Sequence, residues 1–180
     1  MFIKEFIRHS KQIGAIVPSS KYLAAKMIHS VNFETANIVI ELGAGTGIFT
    51  YKILEKLHAN AILLVFETND SFFGSLKNNI TDKRVILIHD SAEKIPEYLM
   101  KLGFSKADYI ISSLPLANIP GLVKTKIIRN IHEALTTTGI YIQFQYSLLM
   151  LNQLKVQFKK VNVGFESLNF PPAFVFSCSK

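Results

Sequence analysis

The sequence predicts a single α/β domain in which a mainly parallel, seven-stranded sheet lies between helices. Three observations predict it. The chain has 180 residues, a length that suits one domain with a real core. Short apolar, β-rich runs alternate with stretches of helical period and no Pro/Gly/Ser linker or repeat divides them, the pattern of a parallel sheet built from strand and helix units. After the fifth apolar run the spacing changes, because only one helix and two strands joined by NFPPA fit in what remains. A closing antiparallel hairpin is the economical solution, with the last strand reversed.

The elements follow in order. Residues 1–30 supply N-terminal cover helices, and 31–180 the sheet domain. Phe2, Ile3, Phe6 and Ile7 fall on one helical face, with Lys4, Arg8 and Lys11 toward the other. This is the form of an interfacial amphipathic helix, or of a helix that packs its apolar face on the domain. A second helix is expected near 19–30. Strands are expected at 37–42, 61–67, 84–88, 107–113, 140–146, near 160–168, and at 173–178. The first five are short, continuous and apolar, as strands covered on both faces are. Helices at 47–57, 70–79, 93–102, 122–135 and 148–158 separate them.

Composition narrows the function. The longest apolar run, Ala61 to Phe66, falls far short of the roughly 20 residues that span a bilayer. Charges interrupt the apolar N-terminus, so a secretory signal is not expected and a cytosolic location is. Cys178 is the only cysteine; it excludes an internal disulfide, argues against a cysteine-based metal site and reads as a small packing residue. No metal is expected. The net charge is +7. Residues 1–30 hold Lys4, Arg8, Lys11, Lys21 and Lys26 against Glu5, and residues 148–180 hold Lys155, Lys159, Lys160 and Lys180 against Glu166. The excess therefore sits at the two ends, where an anionic partner should meet the protein.

The strongest local motif is Glu41-Leu42-Gly43-Ala44-Gly45-Thr46-Gly47, after the first strand and before a helix. Glycines let the backbone turn and a ligand approach, and the helix that follows presents free amides. The spacing is G-x-G-x-G, not the G-x-G-x-x-G of the dinucleotide fingerprint, and no P-loop Lys-Ser/Thr follows. Glu67, followed by Thr68, ends the second strand, where a carboxylate can accept both hydroxyls of a ribose. Asp90-Ser91-Ala92 follows the third, where a carboxylate can accept an exocyclic amine beside an adenine ring. Three consecutive strand ends thus suit a nucleoside that needs no phosphate clamp.

On these residues the sequence resembles the class I S-adenosylmethionine-dependent methyltransferases, with their Rossmann-like seven-stranded sheet. The resemblance implies S-adenosylmethionine as cofactor, with Glu41 through Gly47 at its methionine end, Glu67 with Thr68 at the ribose and Asp90, Ser91 and Ala92 at the adenine. Ser113 and Leu114, at the end of the fourth strand, complete the cofactor-binding set. That strand end faces the methyl group in this family, and here it reads Ser112-Ser113-Leu114-Pro115-Leu116. In DNA and ribosomal RNA adenine N6-methyltransferases the corresponding tetrapeptide resembles N-[LP]-P-[YF]; its Asn or Asp and adjacent carbonyl orient the amine, and its aromatic ring stacks on the flipped base. Ser113 and Leu116 replace both base-handling groups.

SLPL, the upstream Gly14-Ala15-Ile16-Val17-Pro18-Ser19-Ser20, the stretch Phe144-Gln145-Tyr146 and Asn169-Phe170-Pro171-Pro172-Ala173 together resemble the bacterial phospholipid N-methyltransferases, which methylate phosphatidylethanolamine. The likeness runs from about Gln12 to the C-terminus, with Ala44 where those enzymes often have Pro and Gln145 where they often have Thr. It implies an anionic membrane surface or phospholipid as partner, peripheral attachment to the inner face of the membrane, and Lys11, Ser19, Ser20, Lys21, Tyr22 and Pro115 as substrate-binding residues. Ser113 and Tyr146 are the catalytic candidates; the Ser113 carbonyl, Tyr146, Tyr22 and His9 are the groups considered for receiving the amine's proton. Two other readings stay open: a ribosomal RNA adenine methyltransferase, which the charge would suit, and a cofactor-binding membrane module without catalysis. A monomer is the default.

Overall fold

The computed structural model describes residues 19–180. The expected amphipathic helix, with His9 and Lys11, and the Gly14–Pro18 segment lie outside the described residues. Seven strands are present, β1 (Ile38–Leu42), β2 (Ile62–Phe66), β3 (Val85–Ile88), β4 (Ala107–Ser112), β5 (Leu135–Gln145), β6 (Lys160–Glu166) and β7 (Ala173–Ser179). Six helices accompany them among the described residues: α1 (Ser19–Ile28), α2 (Ile48–Leu54), α3 (Asp70–Asn79), α4 (Ile95–Lys101), α5 (Gly121–Ala134) and α6 (Leu151–Gln157). Short 3-10 turns occupy Ala92–Lys94 and Leu116–Asn118.

The sheet order is β3-β2-β1-β4-β5-β7-β6. Pairing is parallel from β3 through β5, and β7 runs antiparallel to both β5 and β6. The expected sheet is therefore present, with one reversed strand near its edge. From β1 the chain winds outward to β2 and β3, then returns to the other side of β1 for β4. That reversal opens a crevice at the carboxyl ends of β1 and β4, the place where open α/β sheets bind ligands.

Alternation along the strands builds two cores. Ile40, Leu64, Ile110 and Tyr141 face one side, against Ile95, Ile127, Ile131 and Leu154 of α4, α5 and α6. Val39, Leu63, Ile111 and Ile142 face the other, against Leu23, Met27, Ile53 and Leu76 of α1, α2 and α3. Successive residues of a strand point to opposite faces, so a continuous apolar run is what a sheet covered twice requires. Cys178 is fully buried in β7, and burial pushes its thiol up to about 12.

Two polar fastenings fix strand ends. Asp108 Oδ2 accepts the amides of Asn37 (2.8 Å) and Ile38 (3.0 Å), tying the start of β1 to β4. The Arg84 guanidinium donates to the carbonyls of Leu54 (3.2 Å) and Leu57 at the end of α2 and pairs with Asp82 at 2.6 Å. It holds the Asp82 carboxyl down at about 2.

The structure departs from expectation in two places. β5 begins at Leu135, five residues ahead of the expected 140: Ala107 pairs with Leu135, and after an irregularity pairing resumes at Tyr109 and Ile140. Thr136, Thr137 and Thr138 are β-branched and favour the extended chain, which carries the strand back to the end of α5. The second departure is electrostatic. Lys160 pairs with Ser179, and Lys180 Nζ donates to the Leu135 carbonyl at 2.6 Å. Lys160 and Lys180 of the closing hairpin thus stand at the amino edge of the sheet, so the place where an anionic partner was expected to meet this end lies opposite the crevice.

Candidate active site

The crevice holds a cavity of about 620 Å³. Its floor is the turn after β1, where Gly43 and Gly45 have φ of 76° and 56°. At Gly43 a Cβ would stand 3.0 Å from Leu114 Cδ2 and 3.3 Å from Ser113 Oγ, so the close seat of this turn on the end of β4 requires glycine. At Gly45, which lines the cavity, nothing lies within 4 Å of a Cβ position, which leaves the backbone open to a ligand.

Carboxylates stand at three strand ends. Glu41 is buried in β1; its Oε2 accepts the Thr50 hydroxyl at 2.6 Å, and its Oε1 has no partner. Burial raises its carboxyl to about 7, the nearby Glu67 charge adds to the rise, and the Thr50 bond opposes it. Glu67 accepts the amides of Gly45 (2.7 Å) through Oε2 and Asn69 (2.8 Å) through Oε1. Asp90 accepts the Ser91 amide at 2.8 Å and lies 3.1 Å from Lys94 Nζ; these two contacts, with the Tyr98 hydroxyl at 3.2 Å, keep its carboxyl below the usual range.

The end of β4 is fastened on both sides. The Ser113 hydroxyl donates to the Gly43 carbonyl. The Leu114 carbonyl accepts Gln143 Nε2 (3.1 Å), Gln145 Nε2 (2.8 Å) and the Leu116 amide (2.8 Å). Pro115, at φ −77° and ψ 68°, is the centre of the inverse γ-turn that makes the last of these bonds. Gln143 is itself oriented by the Tyr141 hydroxyl, 2.6 Å from its Oε1. Tyr146 lines the cavity mouth with its ring 5.6 Å from that of Phe144. Burial raises its phenol, against the pull of the neighbouring Asn169 amide.

Of the residues expected from the sequence, Gly43, Gly45, Glu67, Thr68, Asp90, Ala92, Ser113, Leu114, Pro115 and Tyr146 line this cavity. Glu41, Ala44 and Gly47 are buried outside its lining, Thr46 is exposed, and Ser91 caps the Ala92–Lys94 turn through the Glu93 amide at 3.2 Å. Lys21 and Tyr22 are a correction. They line a separate hollow with Lys52 and Glu55, because α1 begins at Ser19 and packs Leu23 and Ala24 into the core. Ser19 and Ser20 form the first turn of α1. The sequence reading assigned no role to Asn69, Phe72 or Asn118, which also line the cavity. Asn69 carried a visible signal as a helix cap, and its side chain does accept the Phe72 amide at 3.1 Å.

A model of the ribosomal RNA adenine dimethylase family matches residues 11–161. The chain belongs to that family. This dimethylase-family chain is similar to the ornithine lipid N-methyltransferase of Singulisphaera acidiphila, 26% identical over 180 residues that cover 99% of the chain and 94% of the relative. It is also similar to ribosomal RNA small subunit methyltransferase A of Ureaplasma parvum, 22% identical over 151 residues, 79% of the chain. That match spans 53% of the RNA enzyme's length, about half. Among solved structures, the Burkholderia thailandensis 1,6-didemethyltoxoflavin-N1-methyltransferase, with bound 1,6-didemethyltoxoflavin and S-adenosylhomocysteine, superposes with a TM-score of 0.73 at 12% identity, covering 98% of the chain and 86% of that protein. This likeness shows the fold.

The protein is an S-adenosylmethionine-dependent methyltransferase. The residues present fit that cofactor. The unpartnered Glu41 Oε1 and the Glu67 charge make the region of the glycine turn receptive to a cation, and Gly45 leaves open space there. No helix among the described residues is long and apolar enough to cross a membrane.

Proposed function

We propose that this methyltransferase N-methylates the primary amine of a membrane-lipid headgroup such as phosphatidylethanolamine or an ornithine lipid. The observation that carries the reading is the saturated end of β4. A nucleobase amine is held by an amide or carboxylate side chain and a free carbonyl, but here Ser113 offers only a hydroxyl turned toward Gly43, and the Leu114 carbonyl already accepts three N–H groups. Leu116 is fully buried and offers no stacking surface. Support comes also from the near full-length likeness to a lipid N-methyltransferase.

When bound, S-adenosylmethionine supplies an electrophilic methyl on a sulfonium. The Gly43–Gly45 turn would hold its methionine end, with the buried Glu41 carboxyl behind that turn, Glu67 its ribose and Asp90 its adenine. The protein's remaining task is to bring the amine in line and keep water out. Phe144 and Leu114 supply apolar wall, and Gln145 and Tyr146 supply polar atoms at the mouth. The raised Tyr146 phenol stays protonated near neutrality, so it orients the amine through its hydroxyl and does not act as a base.

A second reading, methylation of adenine in ribosomal RNA, is favoured by the family to which the chain belongs. One experiment separates the two. The protein is incubated with S-adenosylmethionine carrying a labelled methyl, and with phosphatidylethanolamine vesicles, ornithine-lipid vesicles or unmethylated small-subunit ribosomal RNA in parallel. The proposal expects label in lipid; label in RNA alone, or in none of the three, overturns it.

A further inference from the structure

The cavity opens at the carboxyl edge of the sheet, where two uncharged segments meet. Residues 146–154 (YSLLMLNQL) follow β5, and residues 167–172 (SLNFPP) join β6 to β7. They abut through Tyr146 and Asn169, and Gln145 pairs with Phe174 just beyond the turn. Leu148, Leu149, Leu168 and Phe170 project from them, 46%, 80%, 60% and 80% exposed. Single exposed apolar residues are ordinary, but four on adjoining charge-free segments beside a cavity mouth mark a docking surface. The turn is built to project them. Glu166 accepts the Leu168 amide at 2.9 Å, and Asn169, buried between its two exposed neighbours, donates to the Pro171 carbonyl at 2.7 Å.

We propose that this ridge inserts into the apolar boundary of a lipid leaflet and holds the cavity mouth against the headgroups. The proposal rests on the reading of a lipid amine as acceptor. A cavity of about 620 Å³ that also takes a nucleoside cofactor has room for a headgroup and none for acyl chains. The chains stay in the leaflet, so the mouth must come to it. Apolar side chains on a rigid turn lose little freedom on insertion. With Lys160 and Lys180 at the opposite edge, the contact made by this ridge is apolar and not electrostatic.

The chain contains no tryptophan, so one introduced residue reports its own surroundings. Phe170→Trp and, as a control at the far end of α4, Met100→Trp are each made in the full chain and mixed with vesicles of phosphatidylcholine and phosphatidylethanolamine. The fluorescence of Phe170→Trp should shift to the blue and be quenched about twofold or more by brominated lipid, and that of Met100→Trp should do neither. In the Leu149→Gln/Phe170→Gln variant vesicle partitioning should fall by about tenfold, with melting temperature and S-adenosylhomocysteine affinity unchanged. No shift at Phe170→Trp, an equal shift at Met100→Trp, or a double variant altered only in self-association overturns the proposal. Docking through Phe170 without methyl transfer to any lipid upholds the ridge and sinks the lipid-amine reading; transfer to dispersed short-chain lipid without docking does the reverse.

Discussion

The amide of Gly45 donates to Glu67 Oε2 at 2.7 Å, joining the glycine turn to the end of the neighbouring strand. The same carboxylate accepts Asn69 on its other oxygen, so both main-chain donors depend on an acceptor-only group. Glu67→Gln replaces one acceptor oxygen with an NH₂ that faces an amide. Calorimetric titration with S-adenosylhomocysteine should show at least about tenfold weaker binding, consistent with loss of a charge-assisted bond of about 1.5–3 kcal/mol. Unchanged affinity would remove Glu67 from the cofactor site.

At Gly45 conformation and space act together. Gly45→Leu places a side chain in the open region of the cavity and forces an L-residue to hold a φ of 56°, at a cost of about 1–2 kcal/mol. Urea denaturation should show that modest loss of stability, and titration should show cofactor binding reduced well beyond it. Binding at wild-type strength would mean that the cofactor does not pass over this turn.

Glu41 should shape stability against pH. Its folded carboxyl titrates at about 7 against 4.5 in the unfolded chain, so between these values the folded state binds more protons. Stability therefore falls as pH rises from 4.5 to 7 and levels off above it. Glu41→Gln removes the titration. Its stability relative to wild type should rise through the same window by an amount on the order of 2–3 kcal/mol; parallel pH profiles of the two proteins would contradict the burial argument.

The Tyr141, Gln143 and Leu114 relay can be broken at either end. Tyr141→Phe leaves Gln143 Oε1 without the hydroxyl that now orients it and should cost about 1–3 kcal/mol in urea denaturation. Gln145→Leu removes a donor from the Leu114 carbonyl. Methyl transfer should slow by about tenfold while S-adenosylhomocysteine affinity holds, since Gln145 lines the end of the cavity proposed for the acceptor. Equal loss of binding and rate would place Gln145 with the cofactor.

Much of this was legible in sequence because it depends on period and spacing. Apolar runs such as IVIEL and ILLVF announced buried strands, and the glycine turn with Glu67 and Asp90 reads directly as three strand ends that the topology brings together. Lys21 and Tyr22 were misplaced because sequence proximity to the Gly14–Ser20 segment says nothing of which way a helix turns its side chains. The positions of Lys160 and Lys180 depended on strand direction: Lys160 begins β6, which runs with β5, and Lys180 follows β7, which runs against both, so the two meet at the far edge. Gln143 and Gln145 were visible as polar residues two apart on an apolar strand, but their common partner is a carbonyl about thirty residues away.

That pair of glutamines also governs how the chain can misassemble. A one-residue slip of β5 would turn both amides to the opposite helical layer, among Val39, Ile111 and their neighbours, where desolvated amides go unanswered. A two-residue slip would leave one of them without Leu114. Correct strand registry and a correctly set Leu114 are therefore the same event. A molecule whose sheet is mispaired would lose both side-chain amides from the Leu114 carbonyl and with them this wall of the cavity.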